Sequence, residues 1–232
     1  MELLTHPIPL LFVTVTAYWL ATLLRTRAGR CGFLCNPVVL SAVAVILYLQ
    51  AARIDYTTYH EAGQLIDFWL KPAVVLLAVP LYHNWKKIRS QWLPIILSQM
   101  AGSITGIVTG IYIAKWMGAE RGVVLSLAAK SVTSPIAIEI TRSIGGIPAI
   151  TAATVILAGT VGQMIGFKLM SASTIRTPTS QGMSMGAASH AMGIAASLDR
   201  SRKMAAYASL GLIFNGILTA ILVPILIPLL GI

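Results

Sequence analysis

Lys130-Ser131-Val132-Thr133-Ser134-Pro135-Ile136-Ala137 is the stretch of this 232-residue chain whose residue types and spacing point most directly to chemistry. It interrupts the apolar run Gly122–Ile140 about nine residues in, which is close to mid-bilayer at about 1.5 Å per residue. Pro135 lacks a backbone donor and disfavours helix at Ser134, so the backbone should open there. Opened backbone at membrane depth is tolerated only where protein or a watery cavity satisfies it. A half-helix starting near Pro135 would aim free N–H groups and a positive dipole end into that cavity, beside Lys130, Ser131, Thr133 and Ser134. Such a group of donors suits a small anion, above all a carboxylate. The plainer reading is a proline-kinked helix with Lys130 snorkelling to the interface, which is strained at that depth.

A second stretch, Gly182-Met-Ser-Met-Gly-Ala-Ala-Ser-His-Ala-Met-Gly193, is too small and polar for a lipid-facing span. Gly186, Ala187, Ala188 and Gly193 permit close helix crossing, and Gly186 and Gly193 are candidate break points. Ser189 and His190 supply hydrogen-bonding groups, and an ordinary histidine titrates near neutral pH, as a proton-coupling residue would. A tight interface with a satisfied core histidine is the alternative. In the first half, Lys71-Pro72 and Pro80-Leu81-Tyr82 put two prolines in one apolar segment, implying two kinks. Asp67 and Glu139, near segment ends, are further coupling candidates. Gly145-Gly146-Ile147-Pro148 reads as a hinge or a tight turn. Gly102, Gly106 and Gly110 form a packing ladder, within the chain or at an oligomer seam. Asn36-Pro37 reads as a helix cap. Cys31 and Cys35 lack further ligands nearby, so no metal and no cofactor are expected.

The elements that must position these residues are apolar. Hydrophobic residues make up 56% of the chain and charged residues 10%, with mean hydropathy +0.81, too little charge to cover a soluble surface. Apolar runs fall at Ile8–Leu24, Cys35–Ala52, Gln64–His83, Trp92–Ala114, Gly122–Ile140, Ile147–Met170, Gly182–Leu198 and Met204–Ile232. Eight segments of bilayer length leave only short loops, so an all-α polytopic membrane protein of one domain, residues 1–232, is expected. The 17 Lys and Arg against 7 Asp and Glu give a net charge of +10. Those basic residues sit mainly in loops, where they set orientation, and no aromatic platforms for nucleic acid accompany them. If all eight runs cross, the loops carrying Arg142 and Arg200–Lys203 lie inside, the Lys168–Arg176 loop lies outside, and both termini lie outside. A shift of half the chain length superposes the runs of residues 1–116 on those of 117–232, which suggests a transporter with discontinuous helices and a site between halves. Whether the halves are parallel or inverted stays open. No hydrolase motif and no nucleotide loop is present, so an enzyme is not expected.

At these residues the chain resembles the LrgB/CidB family over nearly its whole length. Asn36-Pro37, Pro72-Ala73-Val74 with Pro80-Leu81-Tyr82, Lys130 to Ala137, Gly145-Gly146-Ile147-Pro148 and Ala188-Ser189-His190-Ala191 with Gly193 carry the likeness. Ile194 stands where many members have Thr. The resemblance implies an elevator-type carrier of small monocarboxylates (glycolate, glycerate, pyruvate or lactate), proton-coupled and working by alternating access. It equally implies an antiholin-like regulator of murein hydrolase activity and autolysis. A small LrgA/CidA-type membrane partner and a bacterial inner-membrane location come with it, and a homodimer is the default assembly. A non-transporting scaffold is a third reading, which leaves Lys130 and His190 without a purpose.

Overall fold

The computed structural model describes residues 6–27, 36–69, 72, 75–76, 78–83 and 85–232; Cys31, Cys35 and Lys71 lie outside them, as does part of the Pro72-Ala73-Val74 motif. Helices and no strands occur among the described residues. Helices satisfy every backbone group within one segment, which hydrocarbon demands. The chain divides into two compact units, Met1–Val75 and Leu76–Ile232.

The first unit contains α1 (Pro7–Arg27), α2 (Pro37–Ala52) and α3 (Tyr56–Asp67). Asn36 Oδ1 accepts from the Val38 amide at 2.9 Å with Pro37 at the first helical position, so Asn36-Pro37 is a cap. Leu10, Val45, Leu49, Ile54 and Ala62 form its core. The Thr14 and Tyr59 hydroxyls meet at 3.0 Å.

The second unit runs α4 (Ala78–His83), α5 (Trp85–Ser90), α6 (Trp92–Trp116), α7 (Arg121–Leu127), α8 (Ser134–Ser143), α9 (Pro148–Ala172), α10 (Pro178–Leu198) and α11 (Arg202–Leu229). Among the described residues, four helices are long and apolar enough to cross a membrane: α1, α6, α9 and α11. Pro37–Ala52 is apolar but shorter. Trp92 and Trp116, both exposed, sit about 36 Å apart along α6, a spacing that suits the two interfaces of a bilayer. The remaining runs are not uninterrupted helices. Gln64–His83 is divided, since α3 ends at Asp67 and α4 begins at Ala78, with Pro80 inside α4 and Pro72 exposed.

Gly122–Ile140 is a helical hairpin. Gly146 lies against both Ser126 and Thr141: a Cβ there would stand 2.7 Å from Thr141 Cγ2 and 3.1 Å from the Ser126 amide. Fifteen residues of straight helix would instead separate Ser126 from Thr141 by about 22 Å. Ser126 Oγ accepts from the Ile147 amide at 2.7 Å, and the Thr141 and Thr151 hydroxyls meet at 2.8 Å, closing the base. The tip, residues 128–133, holds Lys130 and is irregular because Pro135 starts the second arm.

Gly182–Leu198 reverses too. His190 has φ 43° and ψ −129°, a left-handed backbone that side chains rarely adopt. Gly193 is thereby brought against the Met185 carbonyl, where straight helix would hold them about 12 Å apart. Met185 faces Gly166 of α9, while Arg200, beyond the second arm, lies 4.0 Å over the ring of Phe167, one residue along. Both ends of this hairpin therefore lie at the same level.

The first hairpin has its base at the Trp116 end of α6, beside Ala114 and Ala119, and the second has its base toward the Trp92 end, where Met183 packs on Ile95. These reversals redistribute the loops. Lys86, Lys87, Arg89, Lys168, Arg176, Arg200, Arg202 and Lys203 fall at one end of the unit, against Lys115, Arg121 and Arg142 at the other. Eight simple crossings would place Arg142 with the first group and Lys168 and Arg176 with the second. The positive-inside rule leads to the expectation that the eight-residue end faces the cytoplasm. In cells carrying a chain free of native cysteines, Gly145→Cys is expected to react with an impermeant thiol reagent and Thr174→Cys to be protected. The reverse labelling would restore eight simple crossings.

Candidate functional site

Lys130 projects from the first tip across to α6, where its Nζ donates to the Gly106 carbonyl at 2.7 Å. The glycine ladder makes the room. A Cβ at Gly110 would stand 2.9 Å from Lys130 Nζ, and one at Gly106 would stand 3.2 Å from Ser131 Oγ. Two rungs thus pack within the chain, while Gly102 meets nothing and lines a cavity. The ammonium has three donors and one is engaged. Among the described residues no carboxylate pairs with it; the described ion pair, Glu139 with Arg142 at 2.8 Å, is solvent-exposed. A cation drawn out of water with no counter-charge calls for an anion.

The two tips meet at Asn215, midway along α11 and 1% exposed. Its Nδ2 donates to the Ser131 carbonyl at 2.9 Å on the first hairpin and to the Ala187 carbonyl at 3.1 Å on the second. Its Oδ1 accepts from Ser103 Oγ of α6 at 2.6 Å. Beside this junction a cavity of 660 Å³ runs between α6, the first tip and the leading arm of α10. Ser98, Thr105, Thr109, Ser131, Thr179 and Ser184 bring hydroxyls to it, and Gln99 lines it with a buried Oε1 that has no hydrogen-bond partner. Among the described residues no charged side chain lines it.

Ser131 reaches this cavity; Lys130 is one residue away. Thr133 is the cap residue of α8, yet its Oγ1 is buried without a partner and does not cap the helix, so the first-turn amides beside Ser134 and Pro135 keep their unmet donors. Ser189 and His190 are on the second tip but face α9 rather than the cavity. Ser189 Oγ presses on Gly162 without a partner, and His190 Nε2 donates to the Val155 carbonyl at 2.9 Å. The histidine is thus a hydrogen-bonded core residue at the reversal. Glu139 is exposed on α8, and Asp67 is exposed at the end of α3 in the other unit. Gly145, with φ 79°, and Gly146 make the closed turn under the first hairpin. Gly186 lets α10 touch the Ala208 carbonyl of α11.

Asn215, Ser103 and Gln99 are the functional candidates that sequence reasoning missed. The signal for Asn215 was a lone amide within the strongly apolar run Met204–Ile232. Among the described residues, His, Cys, Asp and Glu nowhere gather in threes close enough to hold a metal ion.

Comparison with known proteins agrees with the motif pattern. A model described as the LrgB-like family matches residues 14–229. Proteins named antiholin-like protein LrgB from Bacillus mycoides (strain KBAB4) and Bacillus cereus (strain B4264) are each 31% identical over 219 residues, covering 94% of this chain and 95% of the relative. No solved structure matches the chain.

Proposed function

Because the chain belongs to the LrgB-like family, we propose that it is an antiholin-like protein of the bacterial inner membrane, and that the activity built into its fold is carriage of a small monocarboxylate. The two parts have different support. The relatives' names support the antiholin-like part, and they support it better than they support transport. The transport part rests on one observation, a cation without a counter-charge held where two oppositely inserted hairpins meet. Glycolate, glycerate, pyruvate and lactate are small enough for the junction and carry the carboxylate it lacks.

In this reading the eight apolar segments comprise spans and two hairpins, each entering and leaving by one face and the two inserted from opposite faces, so that residues 121–172 and 178–229 run in inverted directions. Lys130 and the first-turn amides of α8 hold the carboxylate. The hairpins move with α9 and α11 as an elevator against a fixed remainder, giving alternating access without enzymatic chemistry. A small LrgA/CidA-type partner and assembly as a homodimer belong to the same proposal.

Proteoliposomes holding this protein alone are expected to take up labelled glycolate or pyruvate saturably, and faster under an inward proton gradient. Absence of uptake in folded protein, restored by a co-reconstituted LrgA-type protein, would make the partner obligatory. Absence in both preparations would leave the antiholin-like role without transport. Loss of autolysis control on deletion, with uptake unaffected, would separate the two parts in the other direction.

A further inference from the structure

We propose that Asn215 is a positioning residue that latches the two hairpin tips together, and that its release is the event that parts them. Three hydrogen bonds engage both polar atoms of the side chain: both amide hydrogens go to carbonyls, one on each tip, and the oxygen accepts from Ser103. Carbonyls cannot donate, so this network fixes the amide's orientation. Both accepted carbonyls lie beside irregular backbone. Ser131 belongs to the first tip, and Ala187 precedes the left-handed His190, where regular helical pairing fails. Asn215 is thus placed to satisfy groups that two broken helices leave open, from a helix that is itself continuous through that level. Parting the tips removes both acceptors at once.

This rests on the carrier reading for its purpose but not for its test. With Cys31 and Cys35 replaced by serine, spin labels at Arg142→Cys and Leu198→Cys, both exposed and at the bases of the two hairpins, report the distance between them. Asn215→Asp keeps the acceptor for Ser103 and sets a carboxylate against the two tip carbonyls, so the distance distribution is expected to lengthen and broaden. Ser103→Ala removes the third bond and leaves both tip contacts, so no shift is expected. An unchanged distribution in Asn215→Asp, or an equal shift in both variants, overturns the latch. Should Asn215→Asp fail to fold, Asn215→Ser retains one donor and is expected to give a smaller shift in the same direction; no shift there overturns the latch as well. The distances need no substrate, so a protein that carries no carboxylate could still show the latch, and a carrier could still lack it.

Discussion

Lys130→Met is expected to lower carboxylate uptake by about ten- to hundredfold while the helical fold survives. A hydrogen bond to a charged group contributes roughly 1.5–3 kcal/mol, and about 1.4 kcal/mol is a factor of ten. The fold tolerates the change because Lys130 makes one bond, to the Gly106 carbonyl, which α6 can still pair within its own helix. Methionine is long enough to occupy the slot that Gly106 and Gly110 leave open. Lys130→Arg should not restore uptake, since a planar guanidinium is broader than the ammonium for which Gly110 makes room. Initial uptake rates in proteoliposomes, beside thermal unfolding in detergent, check both expectations. A folded methionine variant that carries substrate normally would remove Lys130 from the site.

Gly186→Leu is expected to destabilise the fold by about 3 kcal/mol or more, a larger structural effect than that of Lys130→Met. A Cβ at residue 186 would collide with the Ala208 carbonyl and approach the Leu212 amide at 2.8 Å, both of them backbone that cannot rotate aside. Overpacking typically costs about 1–3 kcal/mol, and contact with two backbone groups belongs at or above the top of that range. Against a total stability of roughly 5–15 kcal/mol, that is about a fifth of the margin or more. Gly102→Leu is the control, because a Cβ there meets nothing within 4 Å. That variant should give a normal monodisperse yield and lose uptake by filling the cavity. A Gly186→Leu protein as stable as the unaltered chain would show that α10 and α11 can part.

The helical membrane character, the Asn36 cap and the break before Pro135 were legible in the chain, because each follows from local chemistry. Proline acts on its own neighbours, and hydropathy needs no partner. The reversals were not legible. Hydropathy measures the length of an apolar run and not its direction, so Gly122–Ile140 and Gly182–Leu198 looked like spans when each turns back. The glycines of the second run did signal close contact, without saying that one contact was Gly193 with its own arm at Met185. His190 drew attention as a titrating group, yet its ring anchors the reversal to Val155. Asn215 escaped notice because one amide barely alters the hydropathy of a long apolar stretch. Its value lies in carbonyls 84 and 28 residues away, a distance no local pattern spans.

The α11 helix carries both Asn215 and the backbone face that receives Gly182 and Gly186, and it follows both hairpins in the sequence. During synthesis, therefore, the second hairpin leaves the ribosome before the helix it packs on, whereas the first already has α6. Residues 178–198, rich in Gly, Ala and Ser, form a segment that lipid alone does not favour. Its reversal can already bond α9 through His190 and the Val155 carbonyl, and the arrival of α11 supplies the rest of its packing and, through Asn215, joins it to the first tip. Joining of the two tips is thus a late step, and a nascent chain halted before residue 202 is expected to be the form most exposed to quality-control proteolysis.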